Sequence, residues 1–132
     1  MKVLVSEKDR DVALGLLNRA TWVATSRIAY VECRAALSRA KREGRLDARG
    51  ERLAAQLLDQ SWRGIVVVEV DEVLTRRAAD LTRRHPLRAA DAIHLASAEL
   101  MAENEPGEIV FACWDRRLWE SAAALGFAVA PA

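Results

Sequence analysis

Several things are scarce in this 132-residue sequence, and each scarcity excludes something. There are two cysteines, Cys33 and Cys113, far apart and with no CxxC pair. That removes a disulfide framework, and two histidines add too little for a clustered zinc site. Both cysteines sit among apolar neighbours, Tyr30-Val31-Glu32-Cys33 and Val110-Phe111-Ala112-Cys113, which reads as two buried free thiols in a reducing cytosol. No apolar run reaches the roughly 18 residues of a membrane span. Met1 to Val5 gives way at once to Glu7, Lys8, Asp9, Arg10 and Asp11, too short a run for a secretory signal. The expectation is a cytoplasmic protein with no membrane partner. Its six glycines make neither GxGxxG nor GxxxxGK, which argues against the glycine-rich nucleotide-binding loops. No lysine follows Lys41, and a phosphorelay receiver needs one after a late strand. The three prolines, Pro86, Pro106 and Pro131, fall at boundaries, and no repeat or linker interrupts the chain. One domain over residues 1–132 is expected.

What is present is a near balance of charge, 20 Lys and Arg against 19 Asp and Glu. That excludes a polycation that wraps nucleic acid by bulk charge. The balance hides an asymmetry. Residues 1–66 carry 13 basic and 8 acidic side chains, whereas residues 67–132 carry 7 and 11. With 52% hydrophobic and 30% charged residues, the chain reads as a folded globular protein.

Short apolar, β-branched runs alternate with longer segments of helical period. Helices are expected over 6–20, from a Ser26 cap to Glu43 with Gly44 as its stop, and from Asp47 to a stop before Gly64. Further helices are expected over 72–84, over 89–103, and from an Asp115 cap to Leu125 with Gly126 as its stop. Strands are expected at Trp22–Thr25, Ile65–Val70, Ile109–Cys113 and Phe127–Ala130. The run Ile65-Val66-Val67-Val68 looks like a parallel strand covered on both faces. The alternation implies an α/β three-layer fold, a mainly parallel sheet flanked by helices. In such sheets, sites form beyond the carboxyl ends of the strands.

Three carboxylates stand in positions of that kind. Glu32, within the helix after the first of these strands, is placed by helical spacing with Ile28, Ala35 and Ala36 on a small, apolar stripe. Asp91 opens an alanine-rich helix and shares a face with Leu87, Ala90, His94 and Leu95. Asp115 follows the strand 109–113 directly. Each also has a plain structural reading: Glu32 paired with an arginine at the stripe's edge, Asp91 complementing the helix dipole, Asp115 as a cap. Together, three converging carboxylates suit a hard cation such as Mg²⁺ or Mn²⁺, which can activate water and offset charge on a phosphodiester. His94 reads as a packed histidine rather than a ligand, and His85 as a loop residue before Pro86. Trp62 and Trp119 read as core or dimer-contact residues.

Three segments resemble those of one family. Thr25-Ser26-Arg27-Ile28-Ala29-Tyr30-Val31-Glu32 resembles the glutamate helix of PIN-domain ribonucleases of the VapC toxin type. Ala90-Asp91-Ala92-Ile93-His94-Leu95-Ala96-Ser97-Ala98 is similar to that family's most recognisable segment. Cys113-Trp114-Asp115-Arg116-Arg117-Leu118 resembles its last acidic motif. The resemblance implies a PIN-like fold and a Mg²⁺- or Mn²⁺-dependent endoribonuclease, the toxin of a toxin–antitoxin pair. It implies Glu32, Asp91 and Asp115 as catalytic, metal-holding acids. It also implies a cognate antitoxin that occupies the site, an RNA substrate and a homodimer.

The chain departs from the family at its start. The family opens with a central strand ending in a catalytic aspartate, and no such aspartate occurs here. Met1 to Val5 matches the segment just after that motif, so the amino-terminal strand is expected to be short or missing. Alternatively, Met1 to Val5 supplies a short strand with Ser6 or Asp9 near the site. Loss of one acid implies a weak or inactive nuclease. Hence the alternative reading, a non-catalytic PIN-like module that binds an antitoxin or a second protomer. For RNA, the basic segment Arg34, Arg39, Lys41, Arg42, Arg45, Arg49 and Arg52 offers a backbone-contacting surface.

Overall fold

The computed structural model describes residues 10–131, with side chains from Leu14 onward. The expectations placed on Met1 to Asp9 lie outside the described residues. The elements in chain order are α1 (Arg10–Arg19), β1 (Ala24–Ser26), α2 (Ile28–Arg42), α3 (Ala48–Trp62), β2 (Val66–Val68), α4 (Glu72–Arg84), α5 (Ala89–Asn104), β3 (Val110–Ala112), α6 (Arg116–Ala124) and β4 (Ala128–Ala130). The described residues form two compact units that divide between Val67 and Val68.

In the amino-terminal unit, α2 packs against α3. Cys33, Leu37 and Ala40 of α2 are buried at a spacing of four and three residues, and Leu58 of α3 is buried with them. Tyr30 and Trp62 meet edge to face, ring centres 5.4 Å apart. Tyr30 also donates its hydroxyl to Asp59 at 2.7 Å, so the amphipathic ring ties the two helices by both ends. Asp47 caps α3, its carboxylate accepting the Gly50 N–H at 2.6 Å. At the end of α2, Gly44 adopts φ 75°. Its N–H reaches the Lys41 carbonyl and the Arg45 N–H reaches Ala40, the double closure of a Schellman turn that needs a left-handed residue.

Ser26 differs from expectation. It lies in β1 and is buried, with Arg27 between it and the helix. Its hydroxyl still accepts the Ile28 N–H, at 3.4 Å. β1 pairs with β2, and the Val66 N–H donates to the Val23 carbonyl at 2.9 Å.

The carboxy-terminal unit holds the main core: Val68, Leu74, Ala78, Leu81, Ala92, Leu95, Ala96, Phe111, Leu118 and Ala122. α4 packs along α5, joining Leu74, Ala78 and Leu81 to Ala92, Leu95 and Ala96. Asp71 caps α4 through the Leu74 N–H at 2.9 Å. On the outer side, Arg77 of α4 grips Glu103 of α5 with both guanidinium nitrogens, at 2.6 and 2.8 Å. This fork holds the Glu103 carboxyl below the usual glutamate range. The pair's contribution is therefore present at neutral pH and is lost as pH falls through that lowered value.

β3 and β4 pair in parallel, Phe111 opposite Val129, as a strand–helix–strand connection requires. Gly126, at φ 91°, closes α6 with the same double turn as Gly44, its N–H on Ala123 and that of Phe127 on Ala122. The strands are shorter and more open than their apolar runs suggest. Val66 and Val110 are exposed, while Val68 and Phe111 point into the interior. Among the described residues each sheet has two strands, so each strand is an edge and needs only one packed face.

Candidate active site

The cleft of interest lies within the carboxy-terminal unit. It measures about 200 Å³ and is lined by Pro86, Arg88, Asp91, Asp115, Arg116 and Arg117. Two chain segments build it, the opening of α5 and the turn between β3 and α6.

Asp91 stands in the first turn of α5, half-buried. His85-Pro86 ends α4 and delivers the chain to Arg88, the residue before α5, in extended form. Leu95, one turn beyond Asp91, is fully buried, while His94 is half-buried. The helix thus anchors one face in the core and turns its acidic first turn to the cleft.

Asp115 is the cap of α6, its Oδ1 accepting the Leu118 N–H at 3.0 Å. It follows β3 by way of Cys113 and Trp114, so pairing of β3 with β4 fixes where it stands. The Cys113 N–H extends that pairing to the Ala130 carbonyl at 3.1 Å. α6 is held from below by Trp119, whose indole N–H donates to the Pro131 carbonyl at 2.8 Å.

The two carboxylates converge electrostatically as well. The Cys113 thiol is pushed above its ordinary value, chiefly by burial, and the charges of Asp115 and Asp91 both add to the rise. Cys113 is half-buried and Cys33 buried, and both are free thiols. Burial also raises Cys33.

Glu32 belongs to the other unit. It is exposed, not part of the buried stripe that helical spacing suggested. That stripe is Cys33, Leu37 and Ala40, one position round from the expected one. A glutamate beside three small or apolar residues fits a stripe's border as well as its centre, and packing chose the border.

The cleft's donor set fits a hard divalent cation. Two carboxylates face one space, and Mg²⁺ is commonly held by one or two carboxylates with water and substrate phosphate completing the shell. Among the described residues, no three His, Cys, Asp or Glu side chains gather for a metal ion.

The arginines were not singled out in the sequence. Arg88 lies three residues before Asp91, and Arg116 and Arg117 follow Asp115. The signal available was a basic residue within three positions of Asp91 and of Asp115.

Because Asp115 both caps a helix and faces the cleft, two substitutions separate the roles. Asp115→Asn keeps an effective cap and removes the charge. It should leave thermal unfolding close to wild type while lowering metal-dependent activity. Asp115→Ala should also lose about 1 kcal/mol of stability, visible in denaturant titration.

The PIN domain family matches residues 1–105, a stretch that includes Glu32 and Asp91 and stops before Asp115. Two Mycobacterium tuberculosis proteins are similar over the whole chain. They are Ribonuclease VapC49 of strain H37Rv and Ribonuclease VapC45 of strain CDC 1551. Each is 39% identical over 132 residues, covering 100% of this chain and 90% of the relative. The chain therefore belongs to the PIN-domain family, among its VapC-type ribonucleases.

Proposed function

We propose that this protein hydrolyses RNA internally in a divalent-metal-dependent reaction, as the toxin of a toxin–antitoxin pair. The observation that carries the reading is the pair Asp91 and Asp115 lining one arginine-rimmed cleft in a VapC-type chain. Asp91 and Asp115 would hold the cation, Mg²⁺ or Mn²⁺, through oxygen donors. When bound, the cation offsets charge on the phosphodiester and acidifies water. The carboxylates orient what they bind, and the buried base of α5 keeps Asp91 from moving away from the cleft. The reading gives Glu32 the same catalytic and metal-holding role, supported by the likeness of its segment to the family's glutamate helix.

The partners in this reading are an RNA substrate, a cognate antitoxin that covers the site, and a second copy of the chain. The setting is the cytoplasm, and residues 1–132 act as one PIN-like domain. No helix among the described residues is long and apolar enough to cross a membrane. The basic helix pair α2 and α3 is the proposed tracking surface for RNA. There Lys41 pairs with Glu51 and Arg45 with Glu43, while Arg39, Arg42, Arg49 and Arg52 make no ion pair among the described residues.

Incubating the purified chain with RNA and Mg²⁺ or Mn²⁺ should yield weak internal cleavage that EDTA stops. Intact RNA under both metals would count against the enzyme and for the binding module.

A further inference from the structure

The carboxy-terminal unit contains seven arginines. Five of them are ion-paired. Arg76 pairs with Glu72, Arg77 with Glu103 and Glu99, Arg83 and Arg84 with Asp80, and Arg116 with Glu120. Arg88 and Arg117 make no ion pair among the described residues, and both line the cleft of Asp91 and Asp115.

Adjacency to acids makes this separation informative. An arginine beside a carboxylate in a cleft would ordinarily close on it, as Arg77 does on Glu103. Among the described residues, Arg88 and Arg117 instead line the cleft of two carboxylates and form an ion pair with neither. A divalent cation between the carboxylates would cancel their charge and leave the two guanidiniums as the cleft's net charge. The ligand that matches two guanidiniums and a cation is a phosphodiester, whose non-bridging oxygens take a guanidinium fork bidentately.

We infer that Arg88 and Arg117 form a phosphate clamp that seats single-stranded RNA against the Asp91–Asp115 cleft. Arg116 is excluded from the clamp because its guanidinium is spent on Glu120, at 2.8 Å. The clamp rests on the ribonuclease reading above. It binds RNA through the backbone and leaves sequence choice to other surfaces.

The test is steady-state cleavage of a short single-stranded RNA with Mg²⁺ by wild type, R88A, R117A, R88A/R117A and R88K/R117K, repeated over a range of KCl. Each alanine should raise KM by about 3- to 10-fold, the scale of a charged hydrogen bond discounted for exposure. Values of kcat should move far less. The dependence of log kcat/KM on log salt should flatten by roughly 0.7 per arginine removed. The double lysine variant should regain the salt slope yet keep a raised KM, because an ammonium supplies the charge without the fork. A merely structural role would move neither the slope nor its rescue, and both arginines are exposed, so folding should be unaffected. Wild-type KM and slope in R88A/R117A, with wild-type cleavage intact, would overturn the clamp alone. No cleavage by wild type under either metal would overturn the ribonuclease reading and the clamp with it.

Discussion

Asp91→Asn should abolish Mg²⁺-dependent RNA cleavage and leave the fold standing. The substitution is nearly isosteric, so α5 keeps its first turn and its packing on the core. What disappears is one of the two negative charges that face the cleft. Groups that merely support a metal ligand already cost 10- to 100-fold when removed, so loss of a ligand itself should cost at least about 100-fold. The measurement is single-turnover cleavage with Mg²⁺ titrated to saturation, alongside far-ultraviolet circular dichroism. Loss of the charge at the mouth of α5 also removes a small favourable interaction with the helix dipole, about 0.3–1 kcal/mol. A variant that folds, binds RNA and cleaves at the wild-type rate would remove Asp91 from the mechanism and with it the main support for the site.

The largest stability effect is expected at Leu95→Ala. Leu95 is 0% exposed and sits in the core between α4, α5 and the Phe111 strand. Truncation removes buried methylenes and leaves a cavity that rigid neighbours fill only in part, at a cost of about 2–5 kcal/mol. Urea titration should show a lower midpoint with an unchanged slope. The same change tests how the site is held. Leu95 is one turn beyond Asp91, so a looser α5 base should weaken activity even at temperatures where the variant remains folded. A variant with wild-type stability would mean that the α4–α5 core repacks around the gap.

The distance between sequence and structure is best seen in particular residues. Asp47 and Asp115 were legible as caps and Gly44 and Gly126 as stops, because capping is a contact between residues three or four positions apart. The α4 helix was legible over about 72–84 with His85-Pro86 as its close, while its Asp71 cap emerged from the structure. Its internal stripe, Leu74, Ala78 and Leu81, follows from period alone. The strands Val66–Val68 and Val110–Ala112 were legible as strands, but their exposure was not. An apolar run says that a strand forms and cannot say how many faces are covered. Glu32 went astray for a similar reason: one position of rotation about a helix separates border from stripe, and Ile28, Ala35 and Ala36 do not fix that angle.

The sequence by itself determined the order of elements, the ends of most helices, the acids worth suspecting and the resemblance to PIN-domain ribonucleases. All of these depend on contacts within a few residues or on a motif's own spelling. Only the tertiary structure decided that Asp91 and Asp115 face one cleft, that Arg88 and Arg117 stand there without an ion pair among the described residues while the unit's other arginines are engaged, and that Glu32 is exposed. The shared cleft follows from α6 packing on α5 and from β3 pairing with β4 around Phe111, and the exposure of Glu32 follows from the face that α2 turns to α3. Such packing is a property of faces meeting across the chain, which no local pattern encodes.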